Sequence, residues 1–394
     1  MRLLVYILTI LASLTGPGIV AANSSPAEHC IPFTTTPQYG SVNRSHRANP
    51  SNWTSIIKRA NHGDEVVLDK GLYPLNQYAV VFEKSITLRS ASGNRNDVII
   101  EGKGDTVPAE ALMVRANNVR IADITVRNVR DHAVAIKAGI SGTFLYNLNL
   151  VDITTGHIKG SKLNGDGTIA CSQIGYTGAG SRGDYNGAID LHQARGWHIR
   201  DNYIYNIWGD GSGCFIDTDC GRYQPGGAPA ILLWNGSGEN IVERNVIANS
   251  FRAITLGLGT DYDGGVIRNN LIINTEAGRQ GLHGFIASDG GISLLTASDV
   301  TVEQNTILMN HDYPGQIEVK NGTGNVIKDN VVARPIWDRG SAEFNGCGSA
   351  TGNACPPAES GNSILDEDEY MQLLIKTATT LNNSGISALS ELVE

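Results

Sequence analysis

Along most of the chain, apolar and polar residues alternate in short bursts broken by Gly, Asn and Asp. A period of two bounded by corner residues predicts half-buried strands rather than helices. One burst recurs as WHIRDNYIYN, IVERNVIAN, GVIRNNLIIN, VTVEQNTILMN and NVIKDNVVA, with Asn202, Asn245, Asn270, Asn305 and Asn330 at a fixed place and intervals of 43, 25, 35 and 25 residues. Earlier strands, VRIADITVRNV and FLYNLNLVDI, share the rhythm without that Asn. A second burst precedes each of the five: AIDLH, AILLWN, AITLG, GISLLT and QIEVK, with AVAIKA an earlier copy. A unit of two short strands cannot bury its own apolar face, so the units must stack. The shortest are too short for a four-stranded propeller blade, and the spacing of leucine-rich repeats is absent. The pattern predicts an all-β chain, a single-stranded right-handed parallel β-helix over residues 53–345. The repeated Asn side chains are expected to stack at an inside corner and pair with backbone groups freed by the bend.

The flanks read differently. Residues 1–22, MRLLVYILTILASLTGPGIVAA, have one Arg, an apolar run and small residues at the end, which fits a signal peptide. The run is too short and too broken for a membrane span, and no later stretch is apolar for long enough. A secreted protein, extracellular or periplasmic, is expected. Residues 23–52 read as a polar leader. Within Trp53–Leu75 the pattern gives a short amphipathic helix, a turn at Gly63-Asp64, a strand and a second turn at Gly71. Residues 346–394 leave the repeat and predict a small disulfide loop and a helical tail starting near Ser363.

Composition adds two constraints. The net charge is −9, but seven acidic residues against one Lys from Glu359 onward account for −6 of it, leaving about −3 for the body. Nucleic-acid binding is not implied. Six cysteines in an exported chain suggest disulfides. Cys214 with Cys220, and Cys347 with Cys355, are close enough to staple single loops, and Cys30 and Cys171 remain for each other. No spacing suits structural zinc. Calcium stays open, with Asp217 and Asp219 of CFIDTDC as candidate ligands and a solvated disulfide loop as the plainer account.

Alternation also sorts the second burst into two faces. Inward fall Ile136, Ile189, Leu191, Ile231, Leu233, Ile254, Leu256, Ile292, Leu294, Ile317 and Val319. Outward fall Lys137, Asp190, His192, Leu232, Trp234, Thr255, Ser293, Leu295, Glu318 and Lys320. Parallel coils stack at about 4.8 Å, so the outward set makes one strip. The long segments Gly139–Gly142, Gly156–Gly187 and Gly209–Gly227 read as corners that flank it. An extended strip with walls suits a linear polymer. Trp234 or Tyr223 would stack on a sugar, and Lys137, Arg195, Arg252 and Lys320 would attract a polyanion, with Glu318 on the same face. Each alone has a plain alternative, since an outward His is commonly a solvated surface residue and Asp190 can simply pair with Lys137. Removal of a uronate C5 proton needs a base, a carboxylate neutraliser and an acid for the leaving oxygen. His192 is the candidate base, Asp190 its orienting partner, and Lys137 or Asn235 the neutraliser, the last two expected one coil either side of His192.

The whole resembles the secreted right-handed β-helix proteins of the pectate-lyase-like superfamily, from about Trp53 to Pro335. The opening ANHGDEVVLDKGLY, with SITLRSASGN and VIIEG, resembles the first coils of the alginate lyase and chondroitinase B group. IDLHQARGWHIRDN resembles the D-P-H-D segment and following coil of mannuronan C5-epimerases. Asp190 and His192 match its Asp and His, while Leu191 and Gln193 replace its Pro and second Asp. That family's later Arg falls near Asn235 here. The resemblance implies a polysaccharide lyase or C5-epimerase acting on an acidic polysaccharide, and a monomer is expected. The fold also hosts other chemistries. A glycoside hydrolase would need two carboxylates about 5–9.5 Å apart. Asp190 with Asp210, Asp217 or Asp219 is open to that role. A non-catalytic carbohydrate-binding surface protein needs no convergent titratable groups.

Overall fold

A computed structural model describes residues 29–104, 106–177, 186–207, 228–274, 290–309, 315–333, 336–338 and 363–364. Strands of two to five residues wind through three parallel sheets of 11, 11 and 10 strands, visited in turn by each coil. The first sheet runs from Ser45–Ala48 to Val326–Lys328, the second from Gly71–Pro74 to Ser363–Ile364, and the third from Val80–Phe82 to Ile336–Asp338. The architecture is the expected right-handed parallel β-helix.

The inward residues of the third sheet are all buried, Ile136, Ile189, Leu191, Ile231 and Leu233 completely so. With their counterparts in the other sheets they form one continuous apolar column. At about 25 cal/mol per Å² of apolar surface, that column is the main drive for stacking.

The Asn ladder is buried and continuous. Asn270 Oδ1 accepts from the Asn245 backbone N–H at 3.0 Å and from Asn245 Nδ2 at 3.0 Å. Asn270 Nδ2 donates to Asn305 Oδ1 at 2.9 Å and to the carbonyls of Val242 and Arg268. Asn202 and Asn330 lie in the same column, and Ser172 starts it by accepting from the Leu148 N–H and donating its own N–H to Asn202 Oδ1. The residue ahead of each rung has positive φ: Cys171 57°, Asp201 57°, Arg244 52°, Asn269 54°, Gln304 56° and Asp329 56°. Left-handed backbone costs a non-Gly residue about 1–2 kcal/mol, and the ladder's bonds offset that cost at each bend. Asn270→Ala strips these partners from two neighbouring coils. Unpaired buried groups cost about 1–3 kcal/mol each, so denaturant unfolding is expected to show a loss of about 3 kcal/mol.

Four boundaries differ from the sequence expectations. The solenoid begins inside the leader, because Ser45–Ala48 pairs in register with Glu65–Leu68. The helix, Trp53–Arg59, lies where expected, but Gly71 opens a strand rather than a turn. Ser363–Ile364 pairs with Val331–Val332 as a strand at the place where a helix start was expected. Gly156–Gly187 is not a corner, because it contains the strands Gly156–Gly160, Thr168–Ala170 and Gln173–Gly175, a whole coil. The rest of the tail and the Cys214–Cys220 and Cys347–Cys355 pairs fall outside the described residues.

Cys30 and Cys171 are bonded across a separation of 141 residues. The segment behind Cys30 crosses the outer face of the first sheet. Phe33 packs on Phe144 and Tyr146, Tyr146 donates to the Ile31 carbonyl, Arg120 donates to the Gln38 carbonyl, and Tyr39 donates to Glu65. While residues 339–362 join the third sheet to the second, three of the long connections, residues 178–185, 208–227 and 275–289, fall at one corner, between the second and third sheets. The described chain stops there at Thr177, Ile207, Asn274 and Met309 and resumes at Asn186, Ala228, Gly290 and Gly315.

Candidate functional site

The centre of the third sheet carries an outward cluster. Strands Gly156–Gly160, Ile189–His192 and Ile231–Trp234 lie side by side, with Lys159 opposite Asp190 and His192 opposite Trp234. Lys159 Nζ is 2.5 Å from Asp190 Oδ2 and 3.0 Å from His192 Nε2. Trp234 Nε1 donates to Asp190 Oδ1 at 2.8 Å, and the His192 and Trp234 rings pack at 4.2 Å between centroids. Both Asp190 oxygens are therefore engaged, and the carboxylate fixes Lys159 and Trp234. It stands 3.8 Å from His192 Nε2, too far for a hydrogen bond. The expected direct orientation of His192 by Asp190 is replaced by contacts with Lys159, Trp234 and Asn235.

The side-chain amide of Asn235 lies 3.1 Å from His192 Nδ1. A lysine ammonium offers only hydrogens, so a Lys159–His192 bond makes Nε2 the lone-pair nitrogen and puts the ring proton on Nδ1. Asn235 must then present its oxygen to Nδ1, an amide orientation that hydrogen-bond logic rather than shape decides. Its place at the corner, with φ 58°, directs it at the ring from the neighbouring coil. The His192 pKa lies below the ordinary 6.5, first because burial penalises the charged ring and then because Lys159 and Lys162 oppose a second cation, with Asp190 acting the other way. The side chain keeps 18% of its surface exposed. The result is a neutral imidazole with its lone pair beside an ammonium group.

The structure separates the other candidates. Lys137 is two coils from His192, not one, and pairs with Glu110 at 3.0 Å. Lys159 holds the position assigned to it. Arg195 has passed the corner, where it meets Glu239 at 2.8 Å and Asp263. Arg252 packs its guanidinium on the ring of Phe251. Glu318 is buried opposite Ser293, four coils from Asp190 and about 19 Å along the stack. Lys320 shares its strand. The outward strip is also less solvated than alternation suggests, with Asp190, Leu232, Thr255, Ser293 and Glu318 all buried. Tyr223, Asp210, Asp217 and Asp219 lie outside the described residues. Among those described, no cluster of three or more His, Cys, Asp or Glu side chains is arranged to hold a metal ion.

Sequence reasoning missed Lys159. The signal was HIKGS, a further copy of the second burst, hidden because its coil carries Ser172 where later coils carry Asn.

A family model described as a right-handed β-helix region matches residues 187–355. An alginate lyase from Paenibacillus sp. str. FPU-7 is similar in structure at 18% identity and a TM-score of 0.50, over 77% of this chain and 99% of that one. A GH136 lacto-N-biosidase from Eubacterium ramulus is similar at 10% identity and a TM-score of 0.50, over 82% of this chain and 68% of that one. Likeness at these identities shows the shared fold. No curated protein matches the sequence significantly.

Proposed function

We propose that this chain is a secreted carbohydrate-active enzyme that removes the C5 proton of a uronate in an acidic polysaccharide, as a lyase or C5-epimerase. One observation carries the reading, the Lys159 ammonium 3.0 Å from the lone-pair nitrogen of His192. The C5 proton is acidic only when the charge of the neighbouring carboxylate is offset, so base and cation must be adjacent. When a uronate enters, Lys159 turns from His192 to the carboxylate and frees Nε2. Nε2 takes the C5 proton, and the electron pair moves into the carboxylate, whose charge Lys159 offsets. In a lyase the pair then forms the C4–C5 double bond, the C4–O bond breaks, and the leaving oxygen takes a proton. In an epimerase C5 regains a proton from the opposite face. The family likeness and the disulfide support an exported protein. Among the described residues no helix is long and apolar enough to cross a membrane.

The alginate lyase likeness makes alginate a first substrate, with polygalacturonate beside it. Appearance of the ultraviolet absorbance of an unsaturated uronate identifies a lyase. Altered C5 stereochemistry by NMR, without chain cleavage, identifies an epimerase. Neither change on any uronate polymer, together with release of saturated fragments, overturns the reading in favour of hydrolysis.

The pH profile gives a second test. The base works as the neutral ring, so activity falls as pH drops through the folded pKa of His192. Because that pKa is lowered from 6.5, the acid limb of kcat/KM is expected below 6.5. In Lys159→Met one cause of the lowering is gone, and the limb of the residual activity moves upward. A limb that stays in place would detach the kinetics from this pair.

A further inference from the structure

The outer face of the second sheet changes character along the stack. Its inward side is uniform, with Ile174, Ile204, Ile247, Ile272, Ile307 and Val332 all in the apolar column. The outward side of the early coils carries Glu101, Arg127, Asn149 and Gln173, each partly exposed. From Tyr203 onward the outward positions turn largely apolar. Tyr203, Val246, Leu271, Thr306 and Val331 stand in one row, and Ile273 and Leu308 in the next. None of these belongs to the interior column, yet each is at most 6% exposed, and Ile273 and Leu308 are fully shielded. An apolar side chain on an open sheet face keeps its outer end in water, so a layer lies over these later coils. The segment behind Cys30 is on the first sheet, not this one. Among the described elements, those that meet these strands most extensively are their own sheet neighbours.

We infer that this face is a docking surface for the chain's own C-terminal segment, residues 365–394, laid across the sheet from Val331 back toward Tyr203. The segment departs from the right place, because Ser363–Ile364 is the last strand of this same sheet and pairs with Val331–Val332. The five strands from Tyr203 to Val331 span about 19 Å at about 4.8 Å per step, which about 13 residues of helix cover at 1.5 Å each. The sequence supplies a stretch of that length with one apolar side. Tyr370, Leu374, Ala378 and Leu381 follow one another at steps of 4, 4 and 3, the spacing of a single helical stripe. Glu369, Gln372, Lys376 and Thr380 fall on the opposite side, and Asp366, Glu367 and Asp368 suit a helix start. The connections 208–227 and 275–289 also leave the second sheet, but each has to return to the third, and neither carries a stripe of that length. The C-terminal segment thus does for the second sheet what the segment behind Cys30 does for the first.

The test places a photoreactive side chain on the face of the full chain, as Tyr203→p-benzoylphenylalanine and, separately, Leu271→p-benzoylphenylalanine. After irradiation the linked peptides are identified by mass spectrometry. Peptides from residues 365–394 of the same chain are expected. Links to residues 208–227 or 275–289 in place of the tail, or to a second copy seen as a dimer on a denaturing gel, overturn the inference, and so does the absence of any link to the tail. Thermal midpoints show whether each photoreactive variant is folded. If neither is, a pair of substitutions in the tail decides. Leu374→Asp sets a charge against the apolar face and is expected to lower the midpoint by about 5 °C and to raise binding of an apolar dye. Gln372→Asp, on the opposite side of the stripe, should change neither. Leu374→Asp with the midpoint and dye binding of Gln372→Asp overturns the inference.

Discussion

His192→Ala is expected to lower turnover on a uronate polymer by about two to four orders of magnitude, the usual contribution of a positioned general base. The same substitution should leave the thermal midpoint almost unchanged. His192 faces outward, keeps 18% of its surface exposed, and contributes nothing to the apolar column. Lys159→Met is expected to match it in activity, because proton removal fails when the carboxylate charge is not offset. Its effect on stability differs. Lys159 pairs with the buried Asp190, and removing one partner leaves an uncompensated buried charge, worth about 3–5 kcal/mol. Asp190→Asn combined with Lys159→Met should restore most of that stability and none of the activity. A turnover assay and a denaturant titration on the three variants separate the roles. An active His192→Ala enzyme would end the assignment of the base, whatever the stability data showed.

The second large effect concerns the Cys30–Cys171 bond. Closing a loop of this length restricts the unfolded chain by about 5 kcal/mol in the chain-entropy account. The bond also ends the strap that carries Phe33 onto Phe144 and Tyr146. Cys30→Ser with Cys171→Ser is therefore expected to lower unfolding free energy by about 4–5 kcal/mol and to expose the first sheet over Phe144–Tyr146 to hydrogen exchange. Exchange at Val302 and Ile327, several coils away, should change little, since stacked repeats feel their neighbours most. A double variant as stable as wild type would show that packing of Phe33 alone holds the strap.

Much of the frame was legible because each corner imposes the same need on each coil. Asn202 through Asn330 recur because the same backbone groups need the same partner, and Ile189, Leu191, Ile231 and Leu233 recur because the core is one column. Cys30 and Cys171 were reachable because two nearer pairings left them over. The site was half legible. Asp190, His192, Trp234 and Asn235 share adjacent strands and were found together. Lys159 was missed because a full coil and a long corner loop are the same length in sequence. Only the strands inside Gly156–Gly187 distinguish them, and their ladder residue is Ser172 rather than Asn. That error moved Lys137 one coil too close. Glu318 shows a second limit, since alternation gives the direction of a side chain but not what covers it.

The placement of the long connections has an evolutionary consequence. Three of them, residues 178–185, 208–227 and 275–289, leave and re-enter the frame at the corner ahead of third-sheet strands, among them the strands that carry Asp190, His192 and Trp234. The ladder corner and the first sheet are untouched by how many residues are inserted there. Doubling a loop costs only about 0.6 kcal/mol in closure entropy. The molecule therefore separates two hereditary problems. Residues that keep the coils in register hold a fixed place in each coil, while one edge of the solenoid accepts new chain at small thermodynamic cost, next to the candidate site. Under the proposed function, selection for a different polymer can act on that edge alone, and homologues are expected to differ in length there while keeping the interval from Asn245 to Asn270, and from Asn305 to Asn330, at 25 residues.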